Sequence, residues 1–202
     1  FIIASFFLLF ACTDQPDENI SVLILSGKNN HEWQKTTVVI EKMYSEHPEF
    51  NVTITESPDT FSFKQFREYD VLLSNWNTWP EDSLIWDNQT REGFERFIRQ
   101  GGGAVFFHAG ASSFYNWENY HRTGIGRWGK NTSHGQQTTG KIFQLDQQHP
   151  ITKGLTSFLI KDEIWVNTEI HPTADTLGFI QAKDPDNGQD IYEPAVFTNK
   201  ID

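Results

Sequence analysis

The chain has 202 residues, with 27 acidic and 16 basic side chains and a formal net charge of -11. Its hydrophobic content of 37% and aromatic content of 14% can form a sizeable core, which excludes a wholly disordered chain. The acidic balance argues against a nucleic-acid partner, because binding of phosphate backbones depends on clustered Lys and Arg. The single cysteine, Cys12, excludes an intramolecular disulfide and a cysteine-based zinc cluster.

Residues 1–11 form an almost wholly apolar run directly before Cys12. A helix of that length would cross about half of a bilayer core, so the run is typical of a secretory signal rather than of a transmembrane helix. The sequence LFAC, which ends in Cys12, resembles a bacterial lipobox. We therefore predict a signal segment and short linker over residues 1–20, lipidation of Cys12, and an exported bacterial lipoprotein that is periplasmic or tethered to the outer membrane. A plain exported protein with an incidental cysteine is the alternative.

The next part of the chain alternates short apolar runs with helical patterns. Helical spacing predicts a helix after the first run, a short helix after the second and a third helix that stops at Gly101. This alternation predicts an α/β fold, an open and mostly parallel sheet with helices on both faces. The four runs that predict its strands are Ser21 to Gly27, Asn51 to Ser57, Asp70 to Asn75 and Ala104 to Gly110.

Beyond residue 110 the pattern changes to a Trp- and Gly-rich stretch and then to strand-like runs with few helices between them. We predict that these runs form edges of the same sheet or a hairpin extension. The chain stops after a strand-like run with no terminal helix. We therefore predict one α/β domain over residues 21–202, truncated at its C-terminus.

Polar and aromatic residues follow three of the predicted strands. His31 lies four residues after the first strand, Asn75 and Trp76 stand at the end of the third, and His108 stands at the end of the fourth. Ligands of open α/β sheets bind outside the carboxyl ends of the strands, so we expect these residues to form one site. Each of them taken alone could instead cap the core.

Several uncommon motifs, in a fixed order, resemble the ThuA-like family, which is named for trehalose utilisation. They are SGKNNHEWQKTT, YDVLLSNWNTWP, GGGAVFFHAGASSFYNWENYHRTGIGRWG, QHPITKGL and DEIW, and the resemblance runs from about Val22 to about Phe197. It implies a flavodoxin-like fold related to the class I glutamine amidotransferases. It also implies a role in the catabolism of a disaccharide or keto sugar. If the chain is a module that docks to another protein, a companion sugar oxidoreductase is a candidate partner.

The resemblance does not extend to amidotransferase chemistry. Those enzymes use a cysteine at a strand-to-helix elbow, and the comparable elbow here reads HAGAS from His108 to Ser112. We instead expect His31, His108 and Glu163 to perform the acid–base chemistry of a hydrolase, lyase or isomerase. Alternatively, His31, His108 and His134 could hold a divalent metal ion, because neutral imidazole is a good ligand for zinc, manganese or iron.

The seven tryptophans favour a carbohydrate ligand, because aromatic faces stack on the C–H groups of sugar rings. We assign Trp86 and Trp165 to packing, and we expect His121 to be a solvated surface residue. A non-catalytic carbohydrate-binding lipoprotein and a module of a larger sugar-active protein are the alternatives to an enzyme. The residues that we assign to sugar binding are Asn75, Trp76, Trp79, Trp117, Trp128 and His134.

Overall fold

The computed structural model describes residues 19–81 and 85–201, so Cys12 and the apolar run before it lie outside the described residues. The first half of this part is a parallel sheet with the strand order β2-β1-β3-β4. Its strands are β1 (Ile20–Leu25), β2 (Phe50–Thr55), β3 (Val71–Ser74) and β4 (Gly103–Phe106). Its helices are α1 (Trp33–Ser45), α2 (Phe63–Phe66) and α3 (Asn88–Arg99).

The side chains of β1 alternate between the two faces of the sheet, and each face is covered by helices. Val22 and Ile24 pack with Ile40 of α1 on one face. Leu23 and Leu25 pack on the other face against an aromatic cluster contributed largely by α2, α3 and the loops that follow β3 and β4. The predicted parallel sheet with helices on both faces is therefore confirmed.

The helix α3 begins and ends where the sequence predicts. The Asp87 side chain accepts a hydrogen bond of 2.8 Å from the backbone N–H of Thr90, which caps the first turn. After Arg99 the chain reaches Gly101, whose φ of +92° is a left-handed conformation that favours glycine. This stop returns the chain to β4, at the end of the sheet order.

The second half of the chain forms its own antiparallel sheet. Its strand order is β12-β11-β7-β8, and its apolar face packs around Ile142, Ile164 and Ile180. The prediction that these runs are edges of the first sheet is wrong, because in the described part of the chain they pair only with one another. The alternative of a hairpin extension agrees with β11 and β12, which pair antiparallel. The elements are α4 (Glu118–Gly124), β5 (Gly126–Arg127), β6 (Ser133–His134), β7 (Thr138–Phe143), β8 (Phe158–Asp162), β9 (Trp165–Val166), β10 (Glu169–Ile170), β11 (Asp175–Lys183) and β12 (Asp190–Thr198).

Two short ladders join segments of the second half to one another, apart from its four-stranded sheet. Strand β6 pairs with β9, and strand β5 pairs with β10. Trp165 of β9 lies 5.0 Å from the ring of His108, which follows β4, so the β6–β9 ladder lies beside the strand ends at which the sequence predicts a site. Among the described helices, none has the length and apolar character of a membrane span.

Candidate functional site

His108 stands at the turn that follows β4. Its φ of +47° lies in the left-handed region, which is unfavourable for a residue with a Cβ atom and is often found at functional turns. Gly110 makes this turn fit against β3, because a Cβ atom there would lie 2.1 Å from the carbonyl oxygen of Ser74. The tight turn therefore holds the His108 imidazole at the carboxyl end of the sheet.

His31 reaches the same place from the loop after β1. The backbone N–H of His31 donates to the Asn29 side-chain oxygen at 3.0 Å, and the Asn29 amide donates to the Asn75 carbonyl at 3.0 Å. The centroids of the His31 and His108 rings lie 4.9 Å apart. The predicted meeting of His31 and His108 therefore occurs, although their chain segments are far apart.

Asn75 holds the loop that carries His31 in place. Its side chain is buried, and its amide donates to the Thr37 hydroxyl at 3.0 Å, while that hydroxyl lies 2.6 Å from the Ser26 hydroxyl. Asn75 therefore fixes the loop after β1 to helix α1. It lines neither of the two cavities described below, so we no longer assign it to sugar binding.

The opposite wall comes from the ladder of β6 and β9. Trp165 lies with its ring centroid 5.0 Å from that of His108 and 5.3 Å from that of Trp128. The Trp128 ring in turn lies 5.4 Å from that of His134. The Nδ1–H of His134 donates to the Gly135 carbonyl at 2.8 Å, and the Nε2 atom lies 3.8 Å from a carboxylate oxygen of Glu163.

Two adjoining cavities open between these walls. The outer cavity, of about 110 Å³, is lined by Asn30, His31, Asn77, Trp79, Ala109, Ser112, Trp128, His134, Glu163 and Trp165. The inner cavity, of about 240 Å³, lies between His108 and the second sheet. Glu163 and Trp165 line both cavities, so the two share one boundary.

The burial of His108 favours its neutral form. Burial lowers the pKa of His108 below its usual 6.5, and the neighbouring imidazoles of His31 and His134 lower it further. The carboxylates of Asp162 and Glu163 act in the opposite direction without reversing the shift. His108 is therefore neutral at neutral pH, so a ring nitrogen keeps a lone pair that can accept a proton.

The arrangement does not provide a metal centre. The part of the chain that the structure describes contains no group of three His, Cys, Asp or Glu side chains that could hold a metal ion. The alternative in which His31, His108 and His134 are metal ligands therefore has no support in the described geometry.

Two tryptophans that we assigned to sugar binding lie elsewhere. Trp76 and Trp117 are 4% and 5% exposed and belong to the aromatic core, where Trp76 stacks on Phe114 at 5.3 Å. The indole N–H of Trp117 donates to Glu95 at 2.7 Å. Neither residue lines a cavity, because the chain turns inward after β3 and again before α4, so we no longer assign them to sugar binding.

Two other sequence expectations are also corrected. Trp165, assigned to packing, lines both cavities and contacts His108. His121, expected at the surface, is 5% exposed, because α4 turns it toward His171, whose ring lies 5.4 Å away. Trp86 is buried in the aromatic core, as expected.

Sequence reasoning missed several residues of the outer cavity. The Asn77 amide donates to the Ala109 carbonyl at 2.6 Å and ties the loop after β3 to the elbow of His108. The Ser112 hydroxyl accepts a hydrogen bond of 2.8 Å from the backbone N–H of Trp128. Asn77 could have been found from its position two residues after Asn75, whereas no local signal marks Ser112.

A known protein family and solved structures resemble this chain over nearly all of its described residues. The family model described as "ThuA: Trehalose utilisation" matches residues 21–201. A crystal structure of a ThuA-like protein from Parabacteroides merdae is 25% identical and covers 91% of this chain and 76% of its own, with a TM-score of 0.75. A ThuA-like protein from Bacteroides uniformis is 21% identical, covers 92% of this chain and 80% of its own, and has a TM-score of 0.65, which supports the fold alone.

No curated protein matches the chain. The family match nevertheless spans both sheets and every residue of the two cavities. The chain therefore belongs to the ThuA family of trehalose utilisation.

Proposed function

We propose that this ThuA-family chain is an exported enzyme of carbohydrate catabolism that acts on a disaccharide or keto sugar by acid–base chemistry. The observation that supports this proposal best is the meeting of His31 and His108, 4.9 Å apart, beside an outer cavity lined by Trp79 and Trp128. Groups that exchange protons thus lie next to aromatic faces that suit a sugar ring.

His108 is the proposed general base. Its lowered pKa keeps it neutral near pH 7, so it can take a proton from a sugar hydroxyl or from a carbon next to a keto group. His31 is close enough to receive or return that proton through the substrate or a water molecule. The roles of base and of proton relay thus go to His108 and His31, the two imidazoles that meet at the carboxyl edge of the sheet.

His134 and Glu163 form the proposed acid. Because the Nδ1 atom of His134 carries the hydrogen donated to Gly135, the Nε2 atom faces Glu163 with either a lone pair or a second proton. The 3.8 Å between them is longer than a hydrogen bond, so a sugar oxygen or a water molecule would lie between the two groups and take the proton from one of them. That proton is available to the leaving or carbonyl oxygen of a sugar in the outer cavity.

The size of the outer cavity limits how a sugar can bind. Its volume of about 110 Å³ is smaller than the roughly 150 Å³ that accommodates benzene in an engineered protein cavity. A pyranose ring would therefore enter by one edge and leave its other hydroxyls in water. Trp79, which is 40% exposed, and Asn30 lie where the exposed part of the ring would be.

The substitution His108→Asn tests the catalytic role. Asparagine tolerates a positive φ, so the turn should survive while the base is lost. We expect turnover of trehalose, or of a keto derivative of it, to fall by about 10²- to 10⁴-fold with sugar affinity unchanged. His47→Asn is the matched control, because it removes an exposed imidazole that lies two residues after the end of α1. Equal turnover in His108→Asn and the parent would refute an enzymatic role for His108.

Export and membrane tethering are part of the same proposal. They are supported by the apolar run of residues 1–11 and by the position of Cys12 after LFA. We expect the full chain, expressed in a Gram-negative bacterium, to fractionate with membranes, and Cys12→Ser to move it to the soluble fraction. A membrane-bound fraction that Cys12→Ser does not change would refute lipidation.

A further inference from the structure

We propose that the inner cavity binds an apolar group attached to the sugar in the outer cavity, so that the substrates of this site include alkyl and aryl glycosides. The inference deepens the proposed function and rests on it for the sugar half of the ligand. It concerns a separate volume, of about 240 Å³, that lies on the other side of Glu163 and Trp165.

The lining of the inner cavity divides into a polar end and an apolar body. His108, Asp162 and Glu163 stand together at the end that adjoins the outer cavity. Apart from Thr168, the other lining residues in the described ranges are apolar or glycine. They include Ile142, Ile160, Ile164, Ile180, Ala195 and Phe197.

This division favours an apolar group over a second sugar. A second sugar ring would place several hydroxyls against isoleucine and phenylalanine, and each buried hydroxyl without a hydrogen-bond partner is costly. An alkyl or phenyl group has no such groups to satisfy and gains from leaving water. The apolar body of the cavity is therefore better matched to an apolar aglycone than to half of a disaccharide.

The inner cavity is large enough to hold a phenyl ring. The inner cavity is larger than the roughly 150 Å³ cavity, lined by Leu, Ile and Phe, that holds benzene. Ile142, Ile164 and Ile180, which form its floor, are each about 95% buried in the core of the second sheet. The floor is thus a packed surface on which a ring can lie.

The position of the polar end fits the linkage between the two halves of such a ligand. Glu163 and Trp165 border both cavities, and His108 lies beside Trp165 at 5.0 Å. A ligand with its sugar in the outer cavity and its apolar group in the inner cavity would place the connecting oxygen near these residues. The proposed acid and base would then lie at the bond between the two halves.

The test compares four probes on the purified full chain by titration calorimetry: methyl α-D-glucoside, phenyl α-D-glucoside, trehalose and phenol alone. We expect phenyl α-D-glucoside to bind at least tenfold more tightly than methyl α-D-glucoside, because burial of a phenyl group is worth at least that factor. We expect trehalose to gain no comparable advantage.

A pair of substitutions on one strand locates the effect. Ile160 lines the inner cavity, whereas its neighbour Leu159 in β8 points to the other side and is 68% exposed. Ile160→Trp should abolish the preference for the phenyl glucoside, and Leu159→Trp, which adds the same bulk outside, should keep it. If Ile160→Trp fails to fold, Ala195→Phe fills the cavity from β12 instead.

The possible results separate the two proposals. Equal affinity for the methyl and phenyl glucosides would overturn the inner-cavity inference and leave the sugar site intact. Binding of phenol without binding of any glucoside would show that the sugar site fails, and the glycoside inference with it. A loss of trehalose affinity in Ile160→Trp, as large as that of phenyl glucoside, would overturn the inference in favour of a second sugar.

Discussion

Two regions of the molecule use tryptophan in different ways. In the aromatic core beside the parallel sheet, indoles contact other aromatic rings, as in the pairs Trp76–Trp86 at 5.4 Å and Trp86–Trp117 at 6.0 Å. At the cavities, indoles contact imidazoles, as in Trp165 with His108 and Trp128 with His134. The difference shows that the neighbours of a tryptophan, rather than its presence in a loop, separate the tryptophans of the core from those that line the cavities.

The core tryptophans should have the largest effect on stability. Trp76→Ala removes a 4% exposed indole that stacks on Phe114, so we expect the free energy of unfolding to fall by about 3–5 kcal/mol. Urea denaturation followed by circular dichroism measures this loss. Trp76→Phe, which keeps a ring in the stack, should lose clearly less. A loss below about 1 kcal/mol for Trp76→Ala would show that the core does not depend on this ring.

The cavity tryptophans should affect binding more than stability. Trp128 is partly exposed, and Trp128→Ala removes a face that could cover about 50 Å² of a sugar, worth roughly 1 kcal/mol or about fivefold in affinity. Calorimetry with trehalose measures this change. Trp128→Phe should retain part of the affinity. The distinction between the two regions would fail if Trp128→Ala destabilised the fold as strongly as Trp76→Ala while leaving trehalose binding unchanged.

The sequence predicted the parallel sheet well because its strands are short apolar runs bounded by helices and glycine. Hydrophobic periodicity and the stop at Gly101 mark where β1 to β4 lie along the chain. The same topology placed His31 and His108 at one edge. These features depend on local pattern and on strand direction, both of which can be read from a single chain.

The sequence pattern could not show which tryptophans are buried in the core and which line a cavity. Trp76 and Trp79 lie three residues apart in one loop, yet the first is 4% exposed and the second is 40% exposed. The direction of each side chain depends on the hydrogen bonds of Asn77 and on packing against Phe114, which are contacts between distant segments. The second sheet was missed for a similar reason, since strand pairing across 40 residues leaves no local signal.

A pH titration of tryptophan fluorescence should also distinguish the cavity tryptophans from the core tryptophans. The expected change in emission is the smallest of the effects predicted. Protonated imidazole quenches a neighbouring indole, and Trp165 lies 5.0 Å from His108. Burial, with the neighbouring imidazoles of His31 and His134, holds the pKa of His108 below 6.5, so His108 should remain neutral until the pH falls below that value. We therefore expect a partial loss of emission on acidification, with a midpoint below pH 6.5.

The source of this signal can be assigned by substitution. His108→Asn and Trp165→Phe should each remove the part of the quenching that comes from the His108–Trp165 pair, and the Trp128–His134 pair keeps its own contribution. Trp117→Phe should leave it unchanged, because Trp117 lies in the aromatic core and bonds to Glu95. Since the unfolded chain binds a proton at His108 more readily than the folded chain, stability should also decline as the pH falls below 6.5. A midpoint above 6.5 would show that the carboxylates of Asp162 and Glu163, rather than burial, control His108.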